Sequence, residues 1–329
     1  MLQRFSDNLD RVEIHAQGAE LATMMWADRD ENSEKIYNYP DHISQLVAEL
    51  DNPVLVTDSY KAHQITDYIK RETTLALMNK PRKITQYDWL SLDFNQTNYP
   101  TLWWPNIDTL VFCRALKSEF DKPDNTWRHM YRSALEVGCG SGFIGHYIGQ
   151  KMTENTEDSK DIPEITLVDI NEDAKKFYDN MTEKHSLPYQ SEIHIQDARE
   201  LLEQWRKRDL MVCNPPYIPR PNSIENNAYE GLELLTFLIE NFDWFVEKNG
   251  SFITNISNLS KKIIDPILAQ SGLKVEVIDT IQVPLKVFNV LNNKERLDHL
   301  KTQHGLIEQV RNGHQYWHEL SVLKITKPQ

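Results

Sequence analysis

From Tyr131 onward, short apolar runs alternate with segments in which apolar residues return at helical spacing. "SALEVG" reads as a buried strand that enters a glycine loop, and Phe143, Ile144, Tyr147 and Ile148 then recur on one helical face. "ITLVDI" predicts the next strand and "EDAKKFYDNMTEKH" the next helix. "EIHIQDA" and "DLMVCN" predict two more strands, "LELLTFLIENFDWFVEKN" a helix, and "GSFITNIS" a fifth strand. "LKVEVIDTIQV" and "YWHELSVLKIT" close the chain as two further strands. Runs of this length between helices are what βαβ units leave in a sequence, because a parallel sheet is covered on both faces.

The first quarter has a different texture. "WADRDENSEKIYNYPDH" reads as loop, "HISQLVAEL" as an amphipathic segment and "PVLVTDS" as a short strand. Thr57, Asp58 and Ser59 are good caps for a helix through "YKAHQITDYIKRETTLALMN", which "KPRK" closes. These features predict a small, mainly helical N-terminal domain over 1–83 and a larger α/β domain over 84–329. Between the last two strands, "PLKVFNVLNNKERLDHLKTQHGLIEQVRNGH" is far longer than the about 2 to 5 residues of a hairpin loop, so a helical insertion is expected over 284–314.

Composition narrows the picture. The 329 residues carry a net charge of -13, which handicaps a polyphosphate partner and makes nucleic acid the less favoured substrate. The N-terminus has no apolar signal region and no run approaches the roughly 18 apolar residues of a membrane helix, so a cytoplasmic protein with no membrane partner is expected. Cys113, Cys139 and Cys213 lack CxxC spacing and read as small buried residues rather than a disulfide or zinc framework. His314 and His318 stand at the spacing of helical metal ligands, but their segment reads as a strand, and no metal is expected.

Candidate chemistry gathers at the ends of the predicted strands. "LEVGCGSGFIG" sets Gly138, Gly140 and Gly142 between a strand and a helix, where backbone N–H groups can approach a ligand without Cβ atoms in the way; Gly145 allows a relaxed match to the spacing of dinucleotide-binding loops. Asp169 ends the second strand, where a carboxylate can accept both hydroxyls of a ribose, and Asp197 ends the third, where one can receive an exocyclic adenine amine. Together they describe an adenosine site. The fourth strand ends in "NPPY", whose prolines stop the ladder. A planar NH2 group is a poor nucleophile because its lone pair is delocalised. If the Asn214 side-chain oxygen and the Pro215 carbonyl hold its two hydrogens, that lone pair is aimed along one axis, and Tyr217 can stack on the flat group. The methyl donor that fits an adenosine site is S-adenosylmethionine.

In "WPNIDTLVFCRAL", "LEVGCGSGFIG", "LVDIN", "IQDA", "NPPYIP" and "HELSVLKITK" the sequence resembles the class I S-adenosylmethionine-dependent methyltransferases, and within them the HemK-type protein-glutamine N5-methyltransferases that modify translation release factors. The resemblance implies that Asp108, Thr109, Glu136, Gly138, Gly140, Gly142, Asp169, Ile170, Asp197, Ala198 and Asn214 line the cofactor site. It implies likewise that Asn214, Pro215 and Tyr217 hold the target amide. Pro216 and the aromatics Trp103 and Trp104 are candidates for a wall over the substrate, although core tryptophans are an equal reading. The bacterial branch would carry Arg-Pro-Glu-Thr-Glu where this chain has "WWPNID", and the branch with P-x-x-D-T uses a small activating partner.

The expected fold is therefore Rossmann-like: a seven-stranded, mostly parallel sheet whose last strand is antiparallel. The expected activity is N-methylation of a planar NH2, first of a protein glutamine in a release-factor-like substrate. N6-methylation of adenine in RNA or DNA, and a non-catalytic adaptor with the same fold, remain open at this point.

Overall fold

The computed structural model describes residues 10–16, 19–26, 82–87, 90–95, 98–103, 105, 107–122, 131–154, 162–200, 206–221, 231–285, 293–311 and 314–328. The chain divides into two compact units, one formed by Met1–Pro100, Pro105–Leu110 and Ile281–Glu319, the other by Thr101–Trp104, Val111–Thr280 and Leu320–Gln329.

In the first unit, β1 (Asp10–Ala16), β2 (Ala19–Trp26), β3 (Arg82–Tyr87) and β4 (Leu90–Asn95) form a four-stranded antiparallel sheet in sequential order. All regular structure among the described residues of this unit up to Asn95 is strand. The segments read as helical over 42–50 and 60–79, and the short strand over 53–59, lie outside the described residues. β3 spans the expected boundary at 83/84 and pairs with β2 from Thr23↔Gln86 to Trp26↔Lys83, so the sheet runs on past it. In the same unit, the described residues of the stretch expected as a helical insertion hold a helix (Lys294–Gln303) followed by a strand (Ile307–Arg311) that pairs with the start of the terminal strand.

A second, eight-stranded sheet is built largely on the predicted strands. These are β5 (Ser133–Val137), β6 (Glu164–Asp169), β7 (Gln190–Ile195), β8 (Arg208–Cys213), β9 (Val246–Ser257) and β10 (Lys274–Pro284), followed by the hairpin strand β11 (Ile307–Arg311) and β12 (His314–Thr326). Their order is β10-β12-β9-β8-β5-β6-β7 with β11 appended to β12. The pairs β5–β6, β6–β7, β5–β8 and β8–β9 are parallel, and β12 runs antiparallel to β9. This is the expected mostly parallel α/β sheet with an antiparallel last strand. β12 is a strand as read from the sequence, so the spacing of His314 and His318 is not helical.

The helices are α1 (Ile107–Phe120), α2 (Phe143–Thr153), α3 (Glu172–Lys184), α4 (Glu233–Glu240), α5 (Phe242–Phe245), α6 (Asn258–Ser271) and α7 (Lys294–Gln303); α2, α3 and α4 begin where the apolar periodicity put them, whereas α1 and α6 were not read from the sequence. On one face Val137, Met211, Cys213 and Phe252 of the strands pack with Leu238 and Ile264 of the helices. One difference from the sequence reading is local. The single helix expected over 232–249 ends at Glu240, where the Asn241 N–H and side-chain amide both return to the Phe237 carbonyl, and β9 begins at Val246. α6 has the sharpest start: Ser257 accepts from the Leu259 N–H at 3.1 Å and Ser260 accepts from the Ser257 N–H at 3.2 Å, which satisfies two of the donors a helix N-terminus leaves open.

Candidate active site

Strand order reverses between β5 and β8, because the chain moves outward through β6 and β7 and then returns to the other side of β5. In open α/β sheets the crevice at the carboxyl ends of the strands flanking such a reversal receives the ligand. Gly138, Gly140 and Gly142 follow β5 with φ of 68°, 52° and 71°, a left-handed run that side chains rarely adopt, and Gly142 caps α2. They serve different ends. An added Cβ at Gly138 would meet nothing within 4 Å, whereas at Gly140 it would stand 2.5 Å from the Trp103 carbonyl oxygen. Gly138 thus faces open space, and Gly140 admits a close-lying strap. Gly145 is a packing glycine: a Cβ there would lie 2.5 Å from a Leu167 methyl and 2.7 Å from Glu136 Oε2. The relaxed dinucleotide spacing through Gly145 is therefore a matter of helix-to-strand contact.

Two carboxyls stand among main-chain donors. Glu136 is 3% exposed and its Oε2 accepts from the Gly145 N–H at 2.7 Å; burial pushes its pKa well above the usual carboxylate range, against that hydrogen bond. Asp169 Oδ2 accepts from the Gly140 N–H at 2.7 Å and Oδ1 from the Asn171 N–H at 2.9 Å. Burial raises its pKa as well, with the N–H donors opposing. Ile170 after it is exposed at 65%, an apolar side chain on the rim. Asp197 differs: its carboxylate is gripped by Arg199 through Nε at 2.9 Å and through the Arg199 N–H at 2.9 Å, and this pairing lowers its pKa. Ala198 is buried beside it.

A strap crosses the glycine loop. Thr101 donates its N–H and its hydroxyl to Asp173 Oδ2 at 3.1 and 2.6 Å, and the Asn171 side chain donates to the Thr101 carbonyl at 2.7 Å. These contacts hold 101–103 to the start of α3, and Trp103 is left 47% exposed. Trp104 lies outside the described residues. Asp108 and Thr109 are buried in the first turn of α1, where a carboxylate is favoured by the helix dipole, and they group with the unit that holds the antiparallel sheet.

The other side of the reversal holds the Asn-Pro-Pro-Tyr segment. Cys213 and Thr254 are partners in the parallel β8–β9 ladder, and one residue further on Asn255 Nδ2 donates to Asn214 Oδ1 at 2.9 Å. Pro215 and Tyr217 are buried, the latter to 5% exposure, and Pro216 is half-buried. The Gly231 N–H donates to the Ile218 carbonyl at 2.8 Å, which ties the segment after the motif to the start of α4. Cys113, Cys139 and Cys213 are all buried, and burial pushes each thiol up, away from nucleophilic thiolate. Sequence reasoning missed Asn255, Arg199 and the Thr101–Asp173 tie. The one legible signal was an asparagine inside the apolar run "GSFITNIS".

These residues fit an adenosine-bearing donor. The open space over Gly138 and the Asp169 carboxyl at the end of the next strand are what a ribose and its tail require. Residues 131–272 match a family model described as a methyltransferase domain. With that match, the chain carries a methyltransferase domain and is an S-adenosylmethionine-dependent methyltransferase, with S-adenosylmethionine as its cofactor. Its relatives include glutamine methyltransferases, in line with the HemK-type motifs of the sequence. It is similar to the release factor glutamine methyltransferase of Mycoplasma mycoides, with 24% identity over 74% of this chain and 86% of the relative. It is similar also to the ribosomal protein uL3 glutamine methyltransferase of Francisella tularensis, with 29% identity over 38% of this chain and 41% of the relative. A third relative is the tRNA1(Val) (adenine(37)-N6)-methyltransferase of Photorhabdus laumondii, with 29% identity over 30% of this chain and 38% of the relative. Among the described residues no helix is long and apolar enough to cross a membrane.

Proposed function

We propose that the chain methylates a planar NH2 group, and that this group is the side chain of a glutamine in a release-factor-like protein. The observation that supports the reading best is Asn214, a carboxamide at the carboxyl end of β8 whose oxygen is already oriented by a hydrogen bond and which is followed by two stiff prolines. Asn214 Oδ1 and the Pro215 carbonyl each accept one hydrogen of the acceptor NH2, which aims its lone pair; Tyr217 stacks on the amide plane, and Pro216 and Trp103 wall the acceptor. When bound, S-adenosylmethionine supplies an electrophilic sulfonium methyl. Gly138, Gly140 and Gly142 leave main-chain room for its tail, Asp169 takes the ribose hydroxyls, and Asp197 and Ala198 take the adenine edge beside Ile170. Asp108 and Thr109 keep the donor-side role that the resemblance gives them. Positioning supplies most of the acceleration, since effective molarities of about 10⁵ to 10⁸ M are within reach of well-oriented groups. No strong base is required, because the proton leaves after the methyl arrives.

The glutamine reading draws on the relative matched over 86% of its length and on a net charge of -13, which disfavours a polyphosphate acceptor. The unit with the antiparallel sheet and 281–319, outside the methyltransferase-domain match, is the part that selects the acceptor protein. The test is methyl-labelled donor offered with a release factor and with its Gln→Ala variant. Label that depends on the glutamine is expected, and label that ignores it ends the claim. A second reading, N6-methylation of adenine, is favoured by the tRNA-modifying relative. It predicts label on RNA that resists protease and is lost to nuclease.

A further inference from the structure

We propose that Asn255 is a positioning residue for methyl transfer, which acts by fixing the end of the Asn214 carboxamide that faces the acceptor. The inference rests on the reading of Asn214 given above and adds to it a residue that the sequence motif does not contain.

Asn214 and Asn255 each follow the Cys213↔Thr254 pair of the parallel β8–β9 ladder by one residue, at the same level on neighbouring strands, and their side chains meet in a hydrogen bond. Asn255 is fully buried, and its Nδ2 donates to Asn214 Oδ1 at 2.9 Å. A terminal carboxamide turns about a broad, roughly two-fold torsion, so its oxygen and its NH2 exchange places readily unless a partner distinguishes them. Here an exchange at Asn214 would set an NH2 against the Asn255 NH2, donor against donor. Asn255 thereby makes the acceptor end of Asn214 the stable one. A carboxamide oxygen has two lone pairs. Asn255 takes one, and the other remains for a hydrogen of the substrate NH2.

The alternative is that Asn255 only fills a polar niche in the core, and the two ideas separate experimentally. Asn255→Leu and Asn255→Asp keep the approximate shape and remove the N–H donor. Transfer to a release factor is measured as kcat per donor-binding site, so that unfolded protein does not count, and donor affinity is measured by calorimetry. The expected result is a kcat lower by roughly 10- to 100-fold in both variants, with donor affinity within about twofold of the parent. Either substitution in an Asn214→Ala background should add nothing further. A readout that needs no acceptor is the side-chain amide resonance of Asn255 in asparagine-labelled protein: it should shift on Asn214→Ala. Unchanged kcat in folded, donor-binding variants, or an Asn255 amide resonance indifferent to Asn214→Ala, overturns the inference. Full activity of Asn214→Ala by itself would instead overturn the reading of Asn214, whatever Asn255 does.

Discussion

On the β5–β6 side of the sheet's carboxyl edge the polar groups are main-chain N–H donors and carboxyls tied to them, with Gly140 and Asn171 on Asp169 and Gly145 on Glu136. On the β8–β9 side they are two side-chain carboxamides, Asn214 and Asn255, bound to each other. Main-chain donors are set by the fold and stay where the glycine loop puts them. Carboxamides hold their direction only through a partner and can be misdirected by one substitution. The first side is therefore suited to holding a constant cofactor, and the second to aiming a reactive nitrogen.

Substitutions should separate the two sides. The largest effect is expected from Asn214→Ala, where steady-state kinetics should give a kcat lower by on the order of 10²-fold or more while calorimetry finds donor affinity nearly unchanged. A parallel loss of donor binding would merge the two sides. Next, Asp169→Asn should weaken donor binding by roughly 10-fold, the size of one charge-assisted hydrogen bond, without a comparable fall in saturated rate. Two glycines then sharpen the contrast within the first side. Gly138→Ala places a methyl in open space, so donor affinity should fall while stability drops only by the about 1–2 kcal/mol of a left-handed residue. Gly145→Ala has no left-handed strain but drives a methyl against Leu167 and Glu136, so chemical denaturation should report a loss of about 1–3 kcal/mol. Arg199→Ala releases the Asp197 carboxylate, and the expected change in donor affinity is smaller still, within about threefold, as befits an exposed ion pair.

The smallest effect concerns the strap and acid. Hydrogen bonds from Thr101, then Lys176, hold the Asp173 carboxyl down to about 2. A depressed carboxyl pKa adds stability above the unfolded value of about 3.9 and loses it as pH falls through the folded value. Thr101→Val should thus melt below the parent at pH 6, and the two curves should converge as pH approaches 2.

Much of the α/β unit was legible in the sequence because its signals are local. A strand buried on both faces must be an apolar run, and β5, β6 and β8 were read nearly to the residue from "SALEVG", "ITLVDI" and "DLMVCN". The antiparallel sheet near the N-terminus was not read. The β2–β3 pairing that builds it joins residues about sixty positions apart that nothing in a local window connects.

The sequence by itself determined the glycine loop, the acidic residues at successive strand ends and the proline-stiffened Asn-Pro-Pro-Tyr, because each depends on what one residue's backbone or charge permits. Only the tertiary structure decided which partner several of these groups meet: Asn255 for Asn214, the Gly140 N–H for Asp169 and the Trp103 carbonyl for Gly140. Hydrogen bonds between side chains on neighbouring strands arise from ladder register, and register is a property of the assembled sheet rather than of any segment within it.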